Sequence, residues 1–173
     1  KDKTNEILII PIVYGTIAFS LGKKADDTAT HKWCVYVRGN NNEDLSNYIK
    51  EVSFTLHSTF PNNVRTVSTQ PFELYELGWG EFDIKIQIFL HDPVLKVIEY
   101  IQPLKLYPYF SHTAHSSKKP VLSESYDEII IINPRKEFFK EILKLTSTNN
   151  DAMNVNISKR NSNSNLELNE DKA

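Results

Sequence analysis

The sequence predicts an all-β domain, an antiparallel sandwich with a strand and a helix appended at its C-terminal end, and three observations lead there. Apolar residues recur at every second position through most of residues 1–110, turn-forming residues interrupt them at short intervals, and the pattern changes after Pro108. Period-two alternation marks a strand with one buried and one wetted face, because successive side chains leave a strand on opposite sides. Trp33, Val35 and Val37 alternate with Cys34, Tyr36 and Arg38, and Val52, Phe54 and Leu56 with Ser53, Thr55 and His57. Phe82, Ile84, Ile86, Ile88 and Leu90 alternate with Asp83, Lys85, Gln87 and Phe89. Breakers separate these runs at Gly39 to Asn42, Pro61-Asn62-Asn63, Gly78-Trp79-Gly80 and Asp92-Pro93. Residues 7–14, 64–69, 72–77 and 97–107 complete seven or eight short strands, the spacing of an immunoglobulin-like sandwich.

Beyond Pro108, residues 111–122 read as a loop rich in Ser and Lys that contains His112 and His115, and Tyr126 to Ile132 form one more β-branched strand. A helix follows in this reading. Asn133 offers an N-cap, Pro134 suits the first helical position, and Phe138, Phe139, Ile142 and Leu143 share adjoining faces. The domain is therefore expected over 7–145, with a sandwich core at 7–110, the loop at 111–122 and the appended strand and helix at 123–145. Residues 146–173 hold eight Asn, four Ser and no aromatic. Such a stretch buries too little apolar area to offset chain entropy, and a disordered Asn-rich tail is expected.

Composition removes several function classes. A chain of 173 residues supports one core. A formal charge of −2 and a pI near 6.2 leave no whole-chain field for nucleic acid, so contacts there are at most weak, through Lys118-Lys119 or Lys159-Arg160. Cys34 is the single cysteine, which excludes an intramolecular disulfide or a Cys-rich zinc site and favours a reducing compartment. The apolar run Ile7 to Val13 is broken by Pro11 and is far too short to span a bilayer, so no membrane partner is expected. The chain opens on Lys1 without an initiator Met, as an excised piece of a longer protein would. An enzyme would have to pair Cys34 with His31 or His57, yet Cys34 sits inside an alternating strand without a nucleophile-elbow motif. No catalysis, cofactor or metal is expected, and His112 and His115 read as solvated loop residues.

Two loops carry unusual residues. In Leu56-His57-Ser58-Thr59-Phe60-Pro61 a strand ends in an imidazole, two hydroxyls and an aromatic; in Gly78-Trp79-Gly80-Glu81-Phe82 a Trp stands between glycines. Phe60 and Trp79 are either core anchors beside hydroxyl-capped turns, or the facing walls of a narrow slot at one end of the sandwich with Thr59 as its polar fitting.

Those loops, together with His31-Lys32-Trp33, Val35-Tyr36-Val37-Arg38-Gly39 and Pro71-Phe72-Glu73-Leu74, closely resemble a YEATS domain over roughly residues 10–145. Gly78 to Phe82 and Tyr126 to Ile130 look most like the subfamily named for amplification in glioma, whose members are shared by SWR-type remodellers and a histone acetyltransferase complex. The resemblance implies a nuclear chromatin reader that binds acetyl- or crotonyl-lysine on histone tails within such a complex. It implies that Phe60 and Trp79 sandwich the acyl-amide, that the Thr59 hydroxyl and the Trp79 N–H hydrogen-bond it, and that Phe82 closes the floor. His57 would line and support the pocket beside Ser58, Gly78 and Gly80 would let the loop come close, and His31 and Ala29 would flank the slot. Thr59 stands where the family usually has Ser, and Ala29 where it has an aromatic or His. The other reading is an interaction scaffold of such a complex, docked through residues 126–145, with the pocket unused.

Overall fold

The computed structural model describes residues 5–108, 119–138 and 140. Eight strands form two antiparallel sheets: β1 (Ile7–Ser20), β2 (His31–Gly39), β3 (Ile49–Thr55), β4 (Val64–Val67), β5 (Phe72–Gly78), β6 (Asp83–Leu90), β7 (Ile98–Pro103) and β8 (Val121–Ile132). One sheet has the order β5-β2-β1-β8 and the other β4-β3-β6-β7. The alternation in β2, β3 and β6 is realised as anticipated, with Trp33, Val35, Val37, Val52, Phe54, Ile84, Ile86 and Ile88 all in the core between the sheets. Each such side chain contributes about 1.5–3 kcal/mol by leaving water, which is why one-residue register slips are strongly opposed.

Three departures from the sequence reading have local causes. β1 runs on past Tyr14 to Ser20, because Gly15 is part of the ladder: it pairs with Tyr36 on one side and Glu124 on the other. A Cβ at Gly15 would lie 2.5 Å from both Glu124 Cβ and the Ser123 carbonyl oxygen, so the glycine permits close approach of β8. The C-terminal strand starts at Val121, not Tyr126, and completes the first sheet by pairing along β1 from Ala18↔Val121 to Ile7↔Ile132. Asn133 is no N-cap. It sits at φ 51, its side chain accepts the Glu6 N–H at 3.0 Å, and its own N–H donates to the Glu6 carbonyl at 2.7 Å. Helical residues begin later, at Lys136, with Phe138 buried in the core. The nearby Arg135 guanidinium pairs with the buried Asp92 carboxylate, Nε to Oδ2 at 2.8 Å. The rest of the anticipated helix, most of the 111–122 loop with His112 and His115, and the 146–173 tail lie outside the described residues.

Candidate functional site

At the end of the sandwich where β2 begins and β5 ends, two loops meet around a cavity of about 540 Å³. The first loop follows β3. Its start and end are tied by the Leu56 N–H donating to the Asn63 carbonyl at 2.8 Å, with the Asn63 amide returning to Leu56. Arg65 then holds the turn from outside: its guanidinium donates to the Asn62 and Pro61 carbonyls at 2.6 and 2.9 Å and pairs with Glu76 of β5 at 3.1 Å. Within the loop the Thr59 hydroxyl lies 2.9 Å from His57 Nδ1, and the Thr59 N–H donates to that same nitrogen at 3.3 Å. A backbone N–H can only donate, so Nδ1 accepts there and the Thr59 hydroxyl turns its proton toward the ring. The Thr59 oxygen thereby keeps its lone pairs for an N–H donor entering the cavity.

The second loop, Gly78 to Phe82, is fastened at three points. The Thr30 N–H and hydroxyl both donate to the Gly78 carbonyl, at 3.1 and 3.3 Å. The Leu104 N–H donates to the Phe82 carbonyl at 2.8 Å, and the Leu106 N–H to the Glu81 carboxylate at 2.9 Å. Leu104 and Leu106 are themselves buried, so the anchors are rigid. Trp79, standing free between these ties, is 66% exposed.

Beneath the slot the aromatic rings form a bed. Trp33 is fully buried and meets Phe60 and Phe82 edge-on, with centroids 6.1 and 5.9 Å away. Phe60 and Phe82 lie 5.6 Å apart, and the His57 ring is 6.0 Å from Phe82. The Trp33 Nε1 has no hydrogen-bond partner among the described residues, and a Cβ built on Gly78 would stand 3.4 Å from it and 3.7 Å from Phe60 Cζ. These are ordinary contacts, and Gly80 has open space around it, so neither glycine is demanded by packing within the chain.

Of the residues singled out from sequence, His57, Thr59, Phe60, Gly78, Trp79, Gly80 and Phe82 line the cavity. Ser58, Ala29 and His31 do not. Ser58 is exposed in the same turn. Ala29 belongs to a turn capped by Asp26, whose carboxylate accepts the Thr28 hydroxyl and N–H and the Ala29 N–H, bonds that hold it below the usual carboxylate range. The capped turn presents Thr28, not Ala29, to the cavity. His31 is 5% exposed, its ring edge-on to Tyr107 at 5.1 Å and its Nδ1 2.8 Å from the Thr30 hydroxyl. It therefore stands behind the wall and steadies Thr30, which grips Gly78. Burial pushes its pKa down, against an opposing pull from the Glu81 carboxylate and a hydrogen bond to the Leu106 backbone. Sequence reading missed Thr28, Leu77 and Glu81. Glu81 stood within the Gly78 to Phe82 stretch already singled out, whereas nothing in the sequence pattern marked Thr28 or Leu77. Cys34 is 2% exposed, and burial raises its thiol to about 11, which leaves no thiolate for nucleophilic chemistry.

Fold and slot together define a β-sandwich binding module with a loop-borne aromatic pocket. Residues 28–108 match the model of the YEATS family, and the chain belongs to that family. It is 46% identical over 144 residues to transcription initiation factor TFIID subunit 14b of Arabidopsis thaliana, an alignment spanning 82% of this chain and 54% of that protein. It is 41% identical over 151 residues to the AF-9 homolog of Saccharomyces cerevisiae, spanning 77% of this chain and 67% of that one. Among solved structures it is similar to the Yaf9 YEATS domain bound to H3K27ac, with a TM-score of 0.71 at 40% identity over 83% of this chain and 98% of that one. A second Yaf9 structure, recognising an H3K122suc peptide, gives a TM-score of 0.68 at 39% identity.

Proposed function

We propose that this chain is a chromatin reader that takes an acylated lysine of a histone tail into the slot between Phe60 and Trp79, without catalysing a reaction. The observation that carries the reading is Trp79: a large aromatic held out into solvent in a loop fastened at three points, and lining one cavity with Phe60, is expensive to expose unless a flat apolar group covers it. Acylation turns the lysine ammonium, whose desolvation is prohibitive, into a neutral planar amide. Its faces stack between the rings, its N–H donates to the Thr59 oxygen, and its carbonyl accepts the Trp79 N–H. Two aromatic contacts of about 0.5–1.5 kcal/mol each and two hydrogen bonds of about 1 kcal/mol each give weak binding, on the order of micromolar to millimolar after ordering costs. Family membership and the Yaf9 structures with acylated H3 peptides support the ligand class.

By the same reading the protein acts in the nucleus as a subunit of a remodelling or acetyltransferase complex, where neighbouring readers supply avidity. The test is calorimetric titration with an H3 peptide, unmodified, acetylated and crotonylated, against wild type and Thr59→Val. Binding confined to the acylated forms and weakened in the variant supports the reading; equal binding of all three forms to both proteins overturns it.

A further inference from the structure

A second concavity, of about 530 Å³, opens on the outward face of the first sheet. The ladder fixes its rows. Tyr75, Cys34, Ile17 and Leu122 stand side by side across β5, β2, β1 and β8, and the next row is Glu73, Tyr36, Gly15 and Glu124. In the first row the low Cys34 and Ile17 lie between the exposed Tyr75 and Leu122, which makes a trough. In the second, Glu124 crosses the gap at Gly15, accepts the Tyr36 hydroxyl at 2.5 Å and pairs with Arg38 at 3.3 Å. That pairing consumes the one guanidinium of the lining. Glu43 and Glu73, which also line the trough, are in none of the ion pairs among the described residues. The Lys32 ammonium lies outside the lining, over the Tyr75 ring at 5.1 Å from its centroid.

The trough and the aromatic slot share strand β5. Leu77 lines the slot and Tyr75 the trough, two residues apart on one face of β5. From Leu77 to Glu73 the strand advances about 13 Å, the length of about four extended residues.

We infer that the trough takes a Lys or Arg side chain of the same peptide whose acyl-lysine fills the slot, about four residues along the peptide; this rests on the acyl-lysine reading of the slot. The alkyl stem lies over Cys34 and Ile17 between Tyr75 and Leu122, and the cationic head reaches Glu73 and Glu43. A neutral lysine in one pocket and a charged one in the other give the surface a two-point reading of modification state and sequence.

The experiment uses the full chain, labelled with nitrogen-15, and three peptides of one sequence. One carries acetyl-lysine with Arg at the third to fifth flanking positions on both sides, one has those Arg replaced by Gln, and one keeps the Arg without the acetyl group. Amide shifts at Ile17, Cys34 and Tyr75 are expected with the acetylated Arg peptide and not with the Gln peptide. Glu73→Lys should weaken the acetylated Arg peptide about fivefold and leave the Gln peptide unchanged. Equal effects of Glu73→Lys on both acetylated peptides, or shifts confined to the slot, would overturn the inference. Shifts at Cys34 and Tyr75 from the Arg peptides with no acetyl-dependent shift at Trp79 would support the basic trough while sinking the acyl-lysine reading.

Discussion

Replacing the Thr59 hydroxyl is the sharpest single perturbation of the slot, because two substitutions separate its oxygen from its methyl. Among the described residues that oxygen bonds only within its loop, to His57 Nδ1 at 2.9 Å, and Thr59 is exposed. Thr59→Val keeps the shape and removes the acceptor, so folding stability should change by no more than about 0.5 kcal/mol. Binding is different. The acyl amide N–H, once stacked between Phe60 and Trp79, would lose its partner while shut away from water, which costs about 1–3 kcal/mol. Affinity for an acetylated H3 peptide should fall roughly 5- to 150-fold. Thr59→Ser restores the hydroxyl and should bind within about threefold of wild type. Calorimetric titration of the three proteins, with thermal melts alongside, reads both quantities. Equal affinity for Thr59→Val and wild type, with melts unchanged, would refute the hydrogen-bonding role of Thr59.

Further outcomes follow from the supports of the slot and from buried groups. Arg65→Ala removes two donors to the first loop and the pair with Glu76, so it should weaken acyl-peptide binding while lowering Tm by only roughly 2–4 °C, as read by titration and calorimetry on one sample. His31 is held neutral by burial, so the unfolded chain takes up a proton that the folded chain resists. Stability should therefore fall as pH drops below about 6.5, and urea midpoints at pH 7.5 and 5.5 should differ less in His31→Gln than in wild type. The buried Cys34 thiol should resist iodoacetamide at pH 8 in the folded protein and react promptly in urea, as mass spectrometry will register.

Much of the fold was legible because one face of most strands is buried. The alternation in β2, β3 and β6 reports a sheet with one buried and one wetted face, as a sandwich supplies, and Pro61, Asn62 and Asp92 mark where it stops. What escaped were features set by a partner strand. Gly15 reads as a break until β8 is laid beside it, and the segment from Val121 to Ser125 alternates too weakly to announce a strand before its pairing with β1 is known. Asn133 has the right residue type for a helix cap, yet Glu6, more than a hundred positions away, claims its side chain. The slot divides the same way. His57, Thr59, Phe60 and Trp79 betray themselves by residue type in turns, whereas Thr28 and Glu81 reach the cavity only through the capped turn at Asp26 and the tie to Leu106. His31 ends up behind the wall, because the strand pairing His31↔Gly78 turns that ring inward toward Tyr107, and Ala29 is held in the turn capped by Asp26.

The central claim is that Trp79 is exposed for a ligand and not for folding. Its direct test is a titration of H3 peptides, unmodified, acetylated and crotonylated, against wild type and Trp79→Ala, followed by amide shifts so that both proteins are read by the same signal. The account predicts saturable binding of wild type to the acylated peptides alone, its loss in Trp79→Ala, and a thermal midpoint that the substitution leaves nearly unchanged. Undiminished binding by Trp79→Ala, or a variant that unfolds outright, would contradict it.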